Sequence, residues 1–360
     1  MCSIILFGIF LCALVFDCAL GITTGVTSTG DTFICLPNGT PCPTVGFGGQ
    51  NMIHPRIVIP VSQKITKMEI KMKKKLANIN ELCPNGFFPC YGIETQCGEI
   101  FVEGNTSNDG NAVDGAHPWQ AFIKNLTHAF AGSGALLDPF HVLTAAHKVE
   151  SNQGTPEEVI VYMGVWDPTD LENTQSSPVK EILVHPSYNK ESLLNDIAIL
   201  RLEYPIIFGI QNNINTICVP EFESSFIGTK CMVSGWGQSS FTTLDAPTNP
   251  QKQVSVSVVD PQTCRESFAR PSLLGGYVDM YLDQVGEICA GGEASRDACT
   301  QDGGSPLVCP DSTGKLNVAG LVIWGKNCGQ PGVFGVYVNV PYYSNWIDTT
   351  LEGLRAKYNK

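Results

Sequence analysis

The sequence has little positive charge. Against 34 Asp and Glu residues it carries only 22 Lys and Arg, which gives a formal net charge of -12 and a pI near 4.9. Nucleic acids and anionic membrane surfaces attract basic proteins, so this balance excludes both as the main partner. Charged residues make up only 16% of the chain and hydrophobic ones 43%. This composition fits a globular protein of one large or two unequal domains.

The amino-terminal run from Met1 to Gly21 is apolar but lacks the Lys or Arg that usually opens a signal peptide. It ends in the small-x-small triplet Ala19-Leu20-Gly21, as signal peptides do. A membrane anchor is the alternative, but the run is barely ~18 residues long and Asp17 interrupts it. We therefore predict a signal peptide over residues 1–21, a secreted protein and no membrane span.

Fifteen cysteines are present, of which Cys2, Cys12 and Cys18 would leave with the signal peptide. The remaining even number in an oxidising compartment predicts disulfides rather than metal ligation or thiol chemistry, so neither a metal nor a cofactor is expected. Asn38, Asn105 and Asn125 each open an Asn-x-Ser/Thr sequon. They are candidate glycosylation sites, used or unused.

Two short cysteine units resemble each other upstream, Cys35 to Cys42 and Cys83 to Cys90, each with a Pro-Asn-Gly turn. Between them lies a Lys-rich run. Its apolar residues recur at steps of three and four and are Ile65, Met68, Met72, Leu76 and Ile79. The spacing predicts an amphipathic linker helix, with a proteolytic cleavage site at Lys71 to Lys75 or a polyanion-binding face as alternatives.

From about Asn111 the sequence changes to short strand-like runs separated by Gly, Pro and Asn turns. Four examples are 158–163, 179–184, 197–202 and 318–324. This spacing predicts an all-β barrel or sandwich, and the pattern from Tyr342 to Leu354 predicts a short closing helix.

Several motifs in one order resemble the chymotrypsin-like (S1) serine protease family. They are His117-Pro-Trp-Gln120, Val142-Leu-Thr-Ala-Ala-His147, Asn195-Asp196-Ile-Ala-Ile-Leu200, Cys231-Met-Val-Ser-Gly-Trp-Gly237, Asp297 to Cys309, and Ile323-Trp-Gly325 leading to Gly335-Val-Tyr337. The resemblance covers residues 111–352. It implies a trypsin-like double β-barrel with a short C-terminal helix, preceded by a small disulfide-bridged region over residues 22–97.

In that family a serine attacks the peptide carbonyl, a histidine takes its proton and a buried aspartate orients the histidine. His147 and Asp196 match the last two roles. The family's nucleophile loop runs Cys-x-Gly-Asp-Ser-Gly-Gly-Pro, whereas here it runs Cys299-Thr-Gln-Asp-Gly-Gly-Ser-Pro306, so the serine falls on Gly303. The resemblance therefore implies vestigial triad positions and no enzyme activity. By the same resemblance Asp297 is a remnant of the pocket that selects Lys or Arg.

Neighbouring positions also depart from the family. Ser305 lies two residues past the nucleophile position, too far to meet the histidine without a shift of the disulfide-bounded loop. Gln301 stands where the family has a glycine whose amide faces the oxyanion, and Ile323 stands where it usually has a serine. We expect that Gly303→Ser alone recovers little activity.

The activation segment of active family members is missing. Residues 104–115 contain no Ile-Val-Gly-Gly, and no Lys or Arg occurs between Lys75 and Lys124. A tryptic cut cannot expose an amine at the usual position. The aspartate that pairs with that amine, Asp302, then needs another buried partner or a differently ordered loop.

The resemblance also implies disulfide pairs. These are Cys97 with Cys218, Cys231 with Cys309, Cys264 with Cys289, and Cys299 with Cys328. The bridge beside the catalytic histidine is absent, because Lys148 stands for one cysteine and Ala131 or a neighbour for the other. The upstream cysteines Cys35, Cys42, Cys83 and Cys90 leave three connectivities open.

A small cysteine module, a basic linker and a protease domain with Gly for Ser resemble the clip-domain serine protease homologues of arthropods, although a full clip has six cysteines. That likeness implies a secreted, non-catalytic cofactor or regulator of an extracellular protease cascade in innate immunity or melanisation. Its partners would be proteases or proenzymes such as prophenoloxidase. The alternatives are an active trypsin-like endopeptidase using Ser305 and a secreted adhesive or structural binding protein.

Overall fold

The structure is a computed structural model. It describes the backbone of residues 23–26, 32–37 and 87–91, and residues 96–358 apart from 103–107, 126–128, 173, 207, 209–212, 239–246 and 300. The predicted signal peptide, the Lys-rich run, Cys42, Cys83 and the sequons at Asn38 and Asn105 lie outside the described residues. The chain divides into two compact units, the second of which spans Thr95–Ile206 and Gln211–Lys360.

The upstream unit contains an antiparallel sheet in the order β1-β2-β3. Its strands are β1 (Thr23–Val26), β2 (Thr32–Pro37) and β3 (Phe87–Tyr91). Cys35 of β2 is opposite Pro89 of β3, and Cys90 is opposite Ile34. The backbone register thus brings two of the four upstream cysteines into neighbouring strands, and their connectivity stays open.

The first barrel of the larger unit is closed, with six strands in the order β10-β7-β6-β5-β8-β9 over the described residues. The strands are β5 (Gln120–Asn125), β6 (Phe130–Asp138), β7 (His141–Thr144), β8 (Val159–Met163), β9 (Gln175–Val184) and β10 (Ala198–Leu202). The short 3-10 turns Ala146–Lys148, Glu150–Asn152 and Pro156–Glu158 connect β7 to β8. The first of these turns carries His147.

The second barrel joins β11-β14-β15-β16-β13-β12, and pairing of β11 with β12 closes it in the described part of the chain. Its strands are β11 (Lys230–Gly235), β12 (Lys252–Val259), β13 (Glu287–Gly291), β14 (Pro306–Pro310), β15 (Leu316–Gly325) and β16 (Phe334–Asn339). The short strand β4 (Gly110–Asn111) pairs with β12 at Lys252 and Gln253. The predicted trypsin-like double β-barrel is confirmed.

The strands form where the sequence alternates or runs apolar. In β8 every second residue is buried, as expected for one face turned inward, whereas all of β10 is buried. A shared core lies between the barrels, with Leu143, Ile197 and Ile199 from the first and Leu321 and Val336 from the second. Each such side chain contributes about 1.5–3 kcal/mol by its burial. This core fixes the two barrels against each other beneath the His147 turn.

The helices are α1 (Pro261–Phe268), α2 (Val278–Tyr281) and α3 (Val340–Tyr358), with a 3-10 turn at Gly275–Tyr277. The closing helix α3 is longer at both ends than the predicted Tyr342 to Leu354. Pro341 fits its first turn, where a missing N–H costs nothing. Tyr343, Ile347, Leu351 and Leu354 are buried at helical spacing against the shared core.

Four disulfides join residues of the larger unit. They are Cys97–Cys218, Cys231–Cys309, Cys264–Cys289 and Cys299–Cys328, the pairs that the family resemblance implies. The Cys97 bridge and the side chain of Asn215, which donates to the carbonyls of Gln96 and Glu99 at 3.1 and 2.9 Å, hold residues 96–100 on this unit. The Cys231 and Cys299 bridges bracket the loop that carries Gly303.

Candidate active site

His147 and Asp196 form a complete hydrogen-bonded pair. Asp196 is 1% exposed and accepts from the backbone N–H of His147 at 2.8 Å and from its Nδ1 at 2.6 Å. A carboxylate only accepts, so Nδ1 carries the proton and Nε2 is left as the basic nitrogen. The imidazole is about one quarter exposed. The pair has the geometry of a general base and its orienting group.

Gly303 lies directly opposite this base. A Cβ on Gly303 would be 2.7 Å from His147 Nε2 and 3.0 Å from His147 Cε1. The position facing the base is therefore residue 303, as the loop register predicts, and it holds only hydrogen. The side chain that would attack a peptide carbonyl is missing from the place where the base could activate it.

Backbone hydrogen bonds hold this loop against both barrels. Ser133 N in β6 donates to Gly303 O at 3.1 Å, and Gly304 N donates to Val322 O at 2.9 Å. Gly304 has φ +81, and a Cβ there would overlap Ser133 O and Thr144 Oγ1. Glycine is required at 304 by the close approach of the first barrel.

Ser305 is fully buried and bonded elsewhere. Its Oγ accepts from Gln120 Nε2 at 3.3 Å, and the same amide group donates to Ser234 O at 3.0 Å and accepts from Ser234 Oγ at 2.8 Å. This side-chain network lies between β5 and β11. Ser305 is thus a structural group of the barrel junction and is not presented to His147.

The two other departures have clear structural settings. Gln301 has φ +72, in the left-handed region that favours glycine, and it lines a surface depression of about 300 Å³ with Phe130 and Pro247. Ile323 is 6% exposed and packs in the shared core with Ala145 and Ile197.

Asp302 is hydrogen-bonded to buried backbone groups in place of the amino terminus of active family members. Its carboxylate accepts from Gly237 N and from Cys299 N, both at 2.9 Å. Burial raises the pKa of Asp302 to about 6, against the lowering effect of these hydrogen bonds and of the Lys148 and Lys252 charges. The loop is therefore ordered around a buried carboxyl without a new amino terminus bound to it in the described residues.

Asp297 lies in the segment between β13 and β14 and approaches Gly335 of β16. Its Oδ2 accepts from Gly329 N at 3.1 Å, while Oδ1 and the hydroxyl of buried Tyr337 have no hydrogen-bond partner among the described residues. Both atoms lie close to the site of a Cβ on Gly335, at 2.8 and 3.2 Å. Burial raises the pKa of Asp297 to about 7. A cationic side chain is the natural partner for such a group.

Lys148 occupies the space of the absent bridge. Its Cγ and Cδ lie 3.0 Å from the site of a Cβ on Gly132, so the facing residue is Gly132 and not Ala131. The reason is the alternation of β6, which turns adjacent side chains to opposite faces. The role of Lys148 is visible only in the structure, because a lysine in a sequence predicts an exposed side chain.

One further contact near the site was not predicted. Asp109 Oδ1 accepts from Ser255 N at 2.8 Å, and its Oδ2 lies 2.9 Å from Arg296 Nη2. The ion pair joins the segment before β4 to the residue preceding Asp297. The two residues lie far apart in the sequence, so no local spacing could have predicted this ion pair.

The arrangement can orient a base, but it lacks a nucleophile opposite that base. Among the described residues no group of three or more His, Cys, Asp or Glu side chains is placed to hold a metal ion.

Comparisons with known proteins agree with this geometry. Residues 107–347 match the trypsin family. The chain is 37% identical over 342 residues to inactive CLIP domain-containing serine protease A3 of Aedes aegypti, which covers 92% of this chain and 70% of that protein. It is 35% identical over 275 residues to inactive CLIP domain-containing serine protease A8 of Anopheles gambiae, and that alignment covers 73% of this chain and 72% of the relative. It is 35% identical over 263 residues to phenoloxidase-activating factor 2 of Galleria mellonella, and that alignment covers 68% of this chain and 84% of the relative.

The family match spans most of the chain, and two of these relatives are named as inactive. The missing side chain opposite His147 gives the physical reason for inactivity here. The chain belongs to the trypsin family and is a non-catalytic clip-domain serine protease homologue.

Proposed function

We propose that this protein is a secreted cofactor or regulator of an extracellular protease cascade of the melanisation type. The observation that carries the proposal is the intact double barrel built around a His147–Asp196 pair with no nucleophile. Binding needs a folded surface and not a turnover step, so the fold remains useful after catalysis is lost. The likeness to a protein named phenoloxidase-activating factor 2 supports this cascade.

Secretion is part of the proposal. The apolar segment at residues 1–21 would direct export, and residues 22–97 would form a clip-like cysteine region. The four disulfides of the larger unit support an oxidising compartment. In the described part of the chain, the helices are too short or too polar to span a bilayer. Asn125, the described sequon residue, is half-buried at the end of β5.

The partners would be cascade proteases or proenzymes, with prophenoloxidase as the first to test. Asp297 supports binding of a segment with Lys or Arg, since its Oδ1 has no hydrogen-bond partner among the described residues. Cleavage at Lys71 to Lys75 would cut the clip-like region between its two cysteine units, Cys35 to Cys42 and Cys83 to Cys90.

Reconstitution tests the proposal. Purified full-length protein is added in increasing amounts to prophenoloxidase and its activating protease, and oxidation of a diphenol is followed. We expect a saturable rise in phenoloxidase activity of several fold. Chain treated with a fluorophosphonate should act equally well, because no serine takes part.

Two results would contradict the proposal. If fluorophosphonate treatment abolishes the rise in phenoloxidase activity, the effect is catalytic. Ser305 is then the candidate nucleophile, and Ser305→Ala tests it. If the chain neither changes phenoloxidase activity nor binds the protease or the proenzyme, a cascade role is wrong. Cleavage at Lys71 to Lys75 is followed in the same reactions by mass, with a Lys71 to Lys75 all-Gln variant as the matched control.

A further inference from the structure

The side chain of Lys148 runs across two glycines of the active-site region. Its Cγ and Cδ pass 3.0 Å from the site of a Cβ on Gly132, and its Cε overlaps the site of a Cβ on Gly303. The β6 strand supplies the first glycine and the loop before β14 the second. The lysine stem fits here because Gly132 and Gly303 have no side chains. Any side chain at either position would have to displace the stem.

The lysine therefore fills the space of the missing nucleophile. A Cβ on Gly303 would meet Lys148 on one side and His147 Nε2, at 2.7 Å, on the other. Contacts this short require movement of one neighbour. The atom that Gly303 meets, Cε, lies near the end of the lysine side chain, so the lysine is the neighbour that has to move when a side chain is added at 303.

We propose that Lys148 is a built-in plug of the vestigial active site: its stem occupies the volume that a nucleophilic side chain at residue 303 would need. This goes beyond the proposed cofactor role and does not depend on it. The consequence is that a serine restored at 303 has to displace the lysine before it can face His147.

A double-mutant cycle tests this proposal. The variants are Gly303→Ser, Lys148→Ala and the combination, compared by their thermal unfolding midpoints. We expect Gly303→Ser alone to lower the midpoint by about 4 °C and to cost about half as much in the Lys148→Ala background, where only the contact with His147 remains. Equal costs in both backgrounds would overturn the steric claim. If Gly303→Ser does not fold, recovery of folding by Lys148→Ala is the supporting result, and failure of both is the opposing one.

Discussion

The two barrels meet at the active site but have changed to different extents. The first barrel presents His147 bonded to Asp196 through both backbone and side chain, whereas the second barrel presents a loop with glycine at the decisive position. The difference follows from what each group does for the fold. Asp196 satisfies buried donors, so its loss leaves them unpaired. A nucleophilic hydroxyl that projects into a groove makes no such buried hydrogen bonds, so its loss does not destabilise the fold in this way.

The loop itself separates into the same two kinds of position. Gly304, Ser305 and Asp302 bond or pack against the barrels, while Gly303 faces outward to His147. Substitution at the structural positions should therefore disturb backbone contacts or buried hydrogen bonds, whereas an added side chain at 303 meets only the side chains of Lys148 and His147. The following variants test this contrast, beginning with the largest effect.

Gly304→Ala should lower the free energy of unfolding by about 3–5 kcal/mol, measured by urea denaturation. The added Cβ meets Ser133 O and Thr144 Oγ1, and φ is +81. Gly314→Ala is the matched control, since φ there is +87 with open space around it, and it should cost only about 1–2 kcal/mol. Equal losses would show that the barrels do not press on residue 304.

Asp196→Ala should lower the free energy of unfolding by about 2–4 kcal/mol, because it removes charge-assisted bonds to His147 N and Nδ1. Asp348→Ala on the exposed face of α3 is the control and should stay within about 0.5 kcal/mol. If both variants unfold alike, Asp196 has no structural duty, and the account of why the pair is retained is wrong.

Asp297→Asn should make the protein more stable at pH 8 than the parent chain, by about 1–2 kcal/mol, with little difference at pH 4. The folded state binds the Asp297 proton more tightly than the unfolded state, since burial raises its pKa to about 7. The parent chain therefore loses stability as pH rises from about 4 to about 7, and the amide does not. Urea midpoints across this range, with Asp348→Asn as the control, give the measurement. A difference independent of pH would mean that the carboxylate is solvated or already paired.

Ser305→Ala should have the smallest effect, about 1 kcal/mol, because it removes one long bond to Gln120. Exposed Ser225→Ala is the control. Neither the parent chain nor this variant should react with a fluorophosphonate. Labelling of the parent chain that is lost in Ser305→Ala would place a reactive hydroxyl at 305 and reverse the distinction between structural and catalytic positions.

Motifs with fixed spacing allowed much of the fold and site to be predicted. Strands at 197–202 and 318–324 follow from apolar, β-branched runs, and the structure has β10 and β15 there. The resemblance of the histidine, aspartate and nucleophile-loop motifs to the S1 protease family implies that they meet in space, and His147, Asp196 and residue 303 do meet. The end of α3 was less predictable, because packing on the core extends the helix beyond its periodic residues.

Side-chain direction could not be predicted in the same way. The residue facing Lys148 was expected at Ala131 or a neighbour, and strand register decides for Gly132. The partners of Asp302 were unknown, and two backbone N–H groups supply them. These contacts join residues far apart in the chain, where no local spacing relates them.

The sequence alone determined that the chain has no nucleophile, since the cysteines, Asp302 and Pro306 fix the loop register and leave glycine at 303. Only the tertiary structure decided what fills the vacated space, because the path of Lys148 between Gly132 and Gly303 depends on how β6 and the loop before β14 approach each other. The register of the loop depends on residues that are neighbours in the sequence. The volume and charge where β6 and the loop meet depend on how distant elements pack together.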